Sequence, residues 1–346
     1  MSITIALDAM GGDRAPGVVV EGAARALRER PDLRFLLFGD EARIAPLLER
    51  HAAVRERSQL RHTDQFVAND ARPSQALRQA RRSSMRLAVE AVRAGEGDAA
   101  VSAGNTGALM AIAKIVLRTL PGIDRPAICT ALPGRRPVVM LDLGANVGCS
   151  AEHLVQFAVM GEVYARTVLG LERPRVALLN IGTEEIKGED VVREAARLLR
   201  ASPLQMEFCG FVEGNDIVHG VVDVVVTDGF TGNVALKVAE GASRLYSDSL
   251  KEAFGSSLRA KLGYLLARPA LSAVRERYDP RRYNGAMLIG LNGIVVKSHG
   301  GTDAVGFAHA LLSAARLVEG RTNERIGAEL RALAGSLAAA PRAVAS

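Results

Sequence analysis

The alternation of apolar and polar positions is clearest between Val221 and Gly241, VVDVVVTDGFTGNVALKVAEG. Val221, Val222, Val224, Val225 and Val226 make a β-branched run that suits a strand buried on both faces of a parallel sheet. The run breaks at Asp228-Gly229, passes Thr231-Gly232-Asn233, and resumes in helical spacing at Val234, Leu236, Val238 and Ala239. A strand, a polar glycine turn and a helix in that order aim free N–H groups and the positive end of a helix dipole at one point, which suits an anion. Lys237 could add a full charge, although the Gly-Lys-Ser/Thr ending of a P-loop is missing. An ordinary βα turn capped by Thr231 or Asn233 carries the same pattern, so this stretch alone leaves both readings open.

Similar alternation runs along the whole chain. Strands are expected at Ile3–Leu7, Arg34–Phe38, Ala99–Ser102, Pro137–Leu141, Arg175–Asn180, Gln205–Cys209, Val221–Val226, Ala286–Leu291 and Ile294–Lys297. Helices are expected at Pro16–Arg30, Glu41–Arg50, Pro73–Ala94, Thr106–Leu117, Ala151–Leu169, Glu189–Ala201, Gly232–Phe254, Asp303–Glu319 and Asn323–Leu337. This order predicts an open α/β/α sheet whose ligands bind beyond the carboxyl ends of strands. At 346 residues the chain exceeds the size at which single cores stop growing, so one family-sized unit, 1–338, is expected to form two lobes around a cleft. The lobes are placed at approximately 1–130 plus 298–338, and at 131–297, with a frayed tail at 339–346.

Five expected strand ends carry neutral, Asn/Gly/Thr-rich loops: Ser102 to Gly107, Asp142 to Asn146, Asn180 to Gly188, Asp228 to Asn233, and Lys297 to Gly301. Together they suggest a site of uncharged donors that holds an anion and a polarised carbonyl.

The net charge of +6 is unevenly distributed. Between residues 72 and 93, Arg72, Arg78, Arg81, Arg82, Arg86 and Arg93 face only Glu90. From Lys251 to Arg282 eight cations face Glu252, Glu276 and Asp279. Two such segments fit anionic lipid or an acidic protein, or simply solvated helix faces. Without interleaved aromatic pairs or a binding module they do not fit nucleic acid. Within the second segment Leu258, Leu262, Leu265 and Leu266 form an apolar stripe at helical spacing, with Arg259, Lys261 and Arg268 off it, and Pro269 is expected to end that helix. The stripe suits a membrane interface, a carrier-protein contact or a dimer groove; packing against another helix gives the same periodicity.

Three unpaired cysteines, Cys129, Cys149 and Cys209, argue for a reducing compartment, and the spacings of a metal site are missing. The opening MSITIALDAMGGD has no signal-peptide character, and no run approaches about 18 apolar residues, so a cytoplasmic or peripheral protein is expected. Gly95-Glu-Gly97-Asp-Ala-Ala100 matches a dinucleotide fingerprint but precedes a strand, and no Gly-x-Ser-x-Gly elbow occurs. Cys149 and His153 have the spacing of an activated thiolate and equally that of a packed cysteine beside a surface histidine.

The blocks DAMGGD (Asp8–Asp13), SSM (Ser83–Met85), SAGNTGALMA (Ser102–Ala111), DLGAN (Asp142–Asn146), EHLVQFAVMGEVYA (Glu152–Ala165), NIGTEEIKG (Asn180–Gly188), GFVEGNDI (Gly210–Ile217), DVVVTDGFTGNVALKVAEG and GLNGIVVKSHG closely resemble the bacterial phosphate acyltransferase (PlsX) family, in order from about Ile3 to about Leu317. Arg14 stands where the blocks lead one to expect His, Asn284 and Met287 replace Gly and Pro, and Gly301-Thr302 replaces a Ser-Ser-like pair. The resemblance implies an isocitrate dehydrogenase/phosphotransacetylase-like fold, a homodimer and peripheral membrane association. It implies transfer of a long-chain fatty acyl group from acyl carrier protein to inorganic phosphate, giving acyl phosphate for phospholipid synthesis, with no cofactor or metal. Placed on matching blocks, Asn105, Thr106, Asn146, Asn180, Thr231 and Asn233 are the expected phosphate or oxyanion contacts. Lys187 and Lys297 are the expected charge stabilisers, and His299 the proton donor to the leaving thiolate. Helix capping or turn support is the competing role for each. Two other classes remain: an enzyme of the same fold with different chemistry, either a phosphotransacylase acting on acyl-CoA or a metal- and nicotinamide-dependent dehydrogenase, whose clustered acidic ligands are missing from the sequence, and a noncatalytic membrane-associated assembly factor for lipid synthesis, which leaves the five loops without a role.

Overall fold

The computed structural model describes residues 2–202, 204 and 206–339, the side chains of 79 and 334–339 excepted. Its first third alternates as β1 (Thr4–Asp8), α1 (Gly17–Glu29), β2 (Arg34–Gly39), α2 (Glu41–Arg50), α3 (Ala52–Glu56), β3 (Ser58–His62), α4 (Pro73–Gln79), α5 (Ser84–Arg93), β4 (Ala99–Ser102) and α6 (Thr106–Leu117). The middle runs β5 (Ala127–Leu132), β6 (Val138–Leu141), α7 (Ala151–Leu169), β7 (Arg175–Leu179), α8 (Asp190–Ala201), β8 (Glu207–Val212), α9 (Gly214–His219) and β9 (Val224–Val226). Two long helices follow, α10 (Gly229–Gly255) and α11 (Leu258–Arg277), then a 3-10 turn (Pro280–Tyr283), β10 (Ala286–Ile289), β11 (Ile294–Lys297), α12 (Ala304–Glu319) and α13 (Thr322–Ala339).

All strands join one eleven-stranded sheet in the order β3-β2-β1-β4-β11-β10-β5-β6-β9-β7-β8. Strands β1, β2, β3, β4 and β11 are mutually parallel, as are β6, β7, β8 and β9. Between them β10 runs antiparallel to both β11 and β5, and β5 antiparallel to β6. The two parallel halves therefore point in opposite directions. The central strands β4, β6, β9 and β11 are buried throughout, which is why they read as continuous apolar runs. One core packs Val20, Phe157, Phe307 and Leu311 against one face of the sheet, and a second packs Met85, Val89, Leu109 and Ile112 against the other. The expected α/β class, an open sheet covered on both faces, is the observed one.

Several boundaries differ from expectation. Strand β3, SQLRH, is a polar edge strand without an apolar run, and β5 is a further strand beyond the expected ones. The helix expected over 73–94 is two, because Ser83 turns out of helical geometry and its side chain caps α5 at Arg86 N–H. Helix α10 starts at Gly229, capped by Asp228, three residues earlier than the apolar spacing suggests. Helix α11 continues through Pro269, correcting the expected stop. None of its residues is buried, so solvent can satisfy the carbonyl that the proline leaves without a donor. Strands β10 and β11 pair with β5 and β4, in the first half of the sheet. The expected frayed tail lies outside the described residues, apart from Ala339 at the end of α13.

Candidate active site

Three strand-end loops gather at the carboxyl ends of β6, β7 and β9. Asp142, fully buried, organises the first: its Oδ1 accepts from the N–H groups of Ile128 (2.9 Å), Gly144 (3.2 Å) and Ala145 (3.0 Å). Its Oδ2 accepts from the backbone and side-chain amides of Asn146 at 2.7 and 2.9 Å. Asn146 Nδ2 also donates to Pro126 O, and Asn146 O accepts from Gly229 N at 2.7 Å, fastening this loop to the start of α10. Asp228 caps that helix, accepting from Thr231 N at 2.9 Å and Thr231 Oγ1 at 2.7 Å. Asn233, one turn in, lies against Gly144, whose φ of +132° requires glycine. The Asn233 side-chain amide has no hydrogen-bond partner among the described residues and is exposed.

The other two loops follow β4 and β11 and so stand at the opposite edge of the sheet. Asp8, at the end of β1, is buried here, accepting from Ser84 Oγ at 2.6 Å and Ser102 Oγ at 2.7 Å; a methyl group on Gly11 would overlap its Oδ2. Burial pushes the Asp8 pKa up, and the two serine hydroxyls and Lys297 oppose that rise. Lys297 ends β11 at 9% exposure, with Nζ donating to Ala103 O at 3.4 Å and to Ser298 O. Burial lowers its pKa to about 8 against the pull of Asp8 and Asp13. His299 N donates to Asn284 Oδ1 at 2.9 Å, and its Nδ1 accepts from Gly301 N at 3.2 Å, which leaves Nε2 to carry the ring proton. The His299 pKa is held below the ordinary value by burial first, then by Lys297, Lys237 and Arg244, while Glu240 opposes.

Helix α10 connects the two edges. Asn233, Lys237, Glu240 and Arg244 recur at helical spacing on one face. The first lies beside Gly144, and the other three act electrostatically on His299. Lys237 Nζ and Glu240 Oε2 are 2.9 Å apart. The five loops thus do not share one edge as expected, because β10, β5 and β6 reverse the strand direction; one face of α10 spans both groups.

The other expected residues divide by what their polar atoms do. Asn105 spends both amide hydrogens on Asn69 O and Ala71 O and caps α6 with its oxygen. Thr106, first residue of α6, is exposed and has no side-chain partner among the described residues. Asn180 Nδ2 donates to Lys187 O at 3.1 Å, and Lys187 forms an exposed ion pair with Glu184 at 2.8 Å. Burial, with Asp142 and Asp228 nearby, raises the Cys149 pKa to about 11, so this thiol is not an activated nucleophile. His153 closes a capping box with Ser150. Three of the substitutions noted against the family blocks meet: Arg14 Nη2 donates to Gly301 O and Thr302 O, both at 2.8 Å, and Asn284 Nδ2 donates to Thr302 Oγ1 at 3.4 Å and to Ser298 Oγ at 2.8 Å, while Met287 is buried in β10. Among the described residues no group of three His, Cys, Asp or Glu side chains could hold a metal, and no helix is long and apolar enough to cross a membrane.

A family model described as "fatty acid synthesis protein" matches residues 3–325. The phosphate acyltransferase of Paramagnetospirillum magneticum is 60% identical over 329 residues, covering 95% of this chain and 94% of that protein. The phosphate acyltransferase of Rhodospirillum centenum is 60% identical over 337 residues, covering 97% and 95%. Among solved structures, a phosphotransacetylase from Streptococcus pyogenes superposes with a TM-score of 0.63 at 18% identity, over 92% of this chain and 94% of that one. The EutD phosphotransacetylase from Staphylococcus aureus gives 0.54 at 17% identity, over 96% and 94%. These two likenesses are of fold.

Proposed function

The chain belongs to the bacterial phosphate acyltransferase family and is an acyltransferase; we propose that it moves a long-chain fatty acyl group from acyl carrier protein to inorganic phosphate, supplying acyl phosphate for phospholipid synthesis. The observation that carries this reading is the unpartnered Asn233 amide at the positive end of α10, beside the Asp142 loop and on the helix face that leads to His299. Phosphate is already anionic near neutral pH, so catalysis needs desolvation, alignment and a stabilised oxyanion more than a strong base. A phosphate oxygen adds to the thioester carbonyl carbon, the tetrahedral oxyanion collapses, the C–S bond breaks, and the thiolate leaves with a proton.

We assign oxyanion or phosphate contact to the side chains of Asn233 and of Thr106 at the start of α6; in the α10 turn the N–H groups of Gly229, Thr231 and Gly232 are already donated to Asn146 O, Asp228 Oδ1 and Asp228 O. Asn105 and Asn146 tie their loops to the neighbouring backbone of Asn69, Ala71 and Pro126, while Asn180 and Thr231 bond within their own loops. Lys297, with a pKa of about 8, is matched to a leaving thiol whose pKa is about 8.5. A neutral His299 offers its Nε2–H as a hydrogen-bond donor. Lys187 contributes charge from the Asn180 loop.

The reading includes two lobes, a homodimer and peripheral association with an anionic membrane. The strand pairing supports placing β10 and β11 with the first lobe. The surface evidence is the α10–α11 hairpin: the rings of Phe254 and Tyr264 meet at a tilt, centroids 5.4 Å apart, near its turn, and Leu258, Leu262, Leu265 and Leu266 are 60 to 85% exposed beside Arg259, Lys261 and Arg268. Among the described residues no element covers those leucines. The functional test mixes protein, palmitoyl-carrier protein and phosphate. Acyl phosphate and free carrier thiol are expected; turnover confined to acyl-CoA would replace this reading with the phosphotransacylase alternative.

A further inference from the structure

We propose that the basic face formed by Arg72, Arg78, Arg81 and Arg82 around the exposed ring of Phe66 is where an acidic carrier protein docks to present its acyl thioester. The proposal rests on the functional reading above and extends it to a defined surface.

These arginines are without carboxylate partners. Arg86 pairs with Glu90 at 2.7 Å and Arg61 with Glu96 at 2.5 Å, yet no ion pair among the described residues involves any of the four. The only acids between residues 64 and 82, Asp64 and Asp70, do not neutralise them by contact. The charge is also concentrated, since α4, which rises only about 10 Å over its seven residues, carries Arg78 and is flanked by Arg72 on one side and Arg81 and Arg82 on the other. Phe66 is 52% exposed at this place. Thr63 Oγ1 donates to Arg82 O at 2.6 Å and Ser84 N to Gln65 O at 2.9 Å, which hold its segment beside Arg82. An exposed aromatic ring on a segment held beside Arg82, with further unpaired arginines on α4 and at its ends, has the composition of an interface hot spot, and the charge steers an acidic partner.

The face adjoins the candidate site through a short chain of contacts. Asp13 N donates to Gly300 O at 3.0 Å, Asn69 Nδ2 to Asp13 Oδ1 at 2.7 Å, and Asn105 Nδ2 to Asn69 O at 2.7 Å. Arg72 follows Asn69 by three residues, a span of about 10 Å at most. A carrier seated there has its thioester arm at the mouth of the His299 loop. A membrane fits the same face less well: Ala76 is buried and Leu77 packs on the second core, so α4 presents cations without an apolar ridge. The ridge is on α11 instead.

The test compares wild type with an Arg78→Glu/Arg81→Glu protein, and with Lys261→Glu as a hairpin reference. The proposal expects the double variant to raise the KM for acyl-carrier protein at least about tenfold, with kcat, melting temperature and turnover of a small acyl-pantetheine thioester unchanged. Calorimetric titration with unacylated holo-carrier should show the same weakening, and Lys261→Glu should not. Unchanged carrier affinity overturns the proposal. Equal loss on the small thioester also overturns it, placing the arginines in the fold or the site. So does lost cosedimentation with anionic vesicles at unchanged carrier KM, which makes the face a membrane surface. If wild type fails to turn over carrier-borne acyl groups at all, the functional reading fails, while the titration still decides whether this face binds the carrier.

Discussion

Gly232 lies directly beneath the backbone carbonyl of Asp142, so close that a methyl group at 232 would overlap the Asp142 oxygen. This contact sets the start of α10 against the β6 loop and thereby fixes where Asn233 sits.

Gly232→Ala is therefore expected to destabilise the fold by about 1–3 kcal/mol, because the obstacle is backbone and cannot rotate away. Gly241→Ala, on the same helix with open space around it, should stabilise by about 0.5–1 kcal/mol. Denaturant unfolding of both proteins checks the pair; equal midpoints would mean that α10 is not seated on the Asp142 loop.

Direct attack by phosphate predicts that Cys149→Ala retains most of its activity. The raised thiol pKa removes Cys149 from nucleophilic duty. A loss of several orders of magnitude, with an acylated protein trapped by mass spectrometry, would replace the direct route with a covalent one.

The Lys297 pKa of about 8 gives a pH dependence with a definite sign. If the ammonium form is needed, kcat/KM falls as pH rises through about 8, and that limb disappears in Lys297→Gln. Stability moves the other way. Between about 8 and the ordinary 10.5 the unfolded lysine holds its proton and the folded one does not, so wild type should gain stability relative to Lys297→Gln across that window as pH rises. Parallel profiles for the two proteins would show that Lys297 is neither perturbed nor used.

The hairpin leucines predict a separable phenotype. Leu262→Glu/Leu265→Glu should abolish vesicle cosedimentation and leave the melting temperature of the single chain and its soluble turnover unchanged, since both side chains are 60% exposed. A collapsed melt would place these leucines in a subunit interface needed for folding.

What was legible in the sequence follows from burial. Val224–Val226 and Ile294–Lys297 announce themselves because both faces of those strands are covered, whereas Ser58–His62 is an edge strand and carries no apolar signal. The loops after Ser102, Asp142, Asn180, Asp228 and Lys297 were readable as glycine and amide clusters. Strand direction was not, because the reversal at β10, β5 and β6 depends on pairing between segments distant in sequence. The carboxylates that organise the loops were missed for the same reason. Asp8, Asp142 and Asp228 act by collecting donors from Ser84, Ile128 and Thr231, and the only local signal is an aspartate closely preceding a glycine turn. Neutral donors such as Asn105 and Asn146 are legible as residue types, yet their amide hydrogens are committed to the backbone of Ala71 and Pro126.

The observation that carries the functional reading is the amide of Asn233, so Asn233→Ala is the most direct measurement. Steady-state turnover of acyl-carrier protein with phosphate should fall about 100- to 1,000-fold, roughly 2.7–4 kcal/mol of lost transition-state stabilisation, with an unchanged melting temperature. Near-normal turnover by a folded Asn233→Ala protein would contradict the account and place the reacting centre away from the α10 turn.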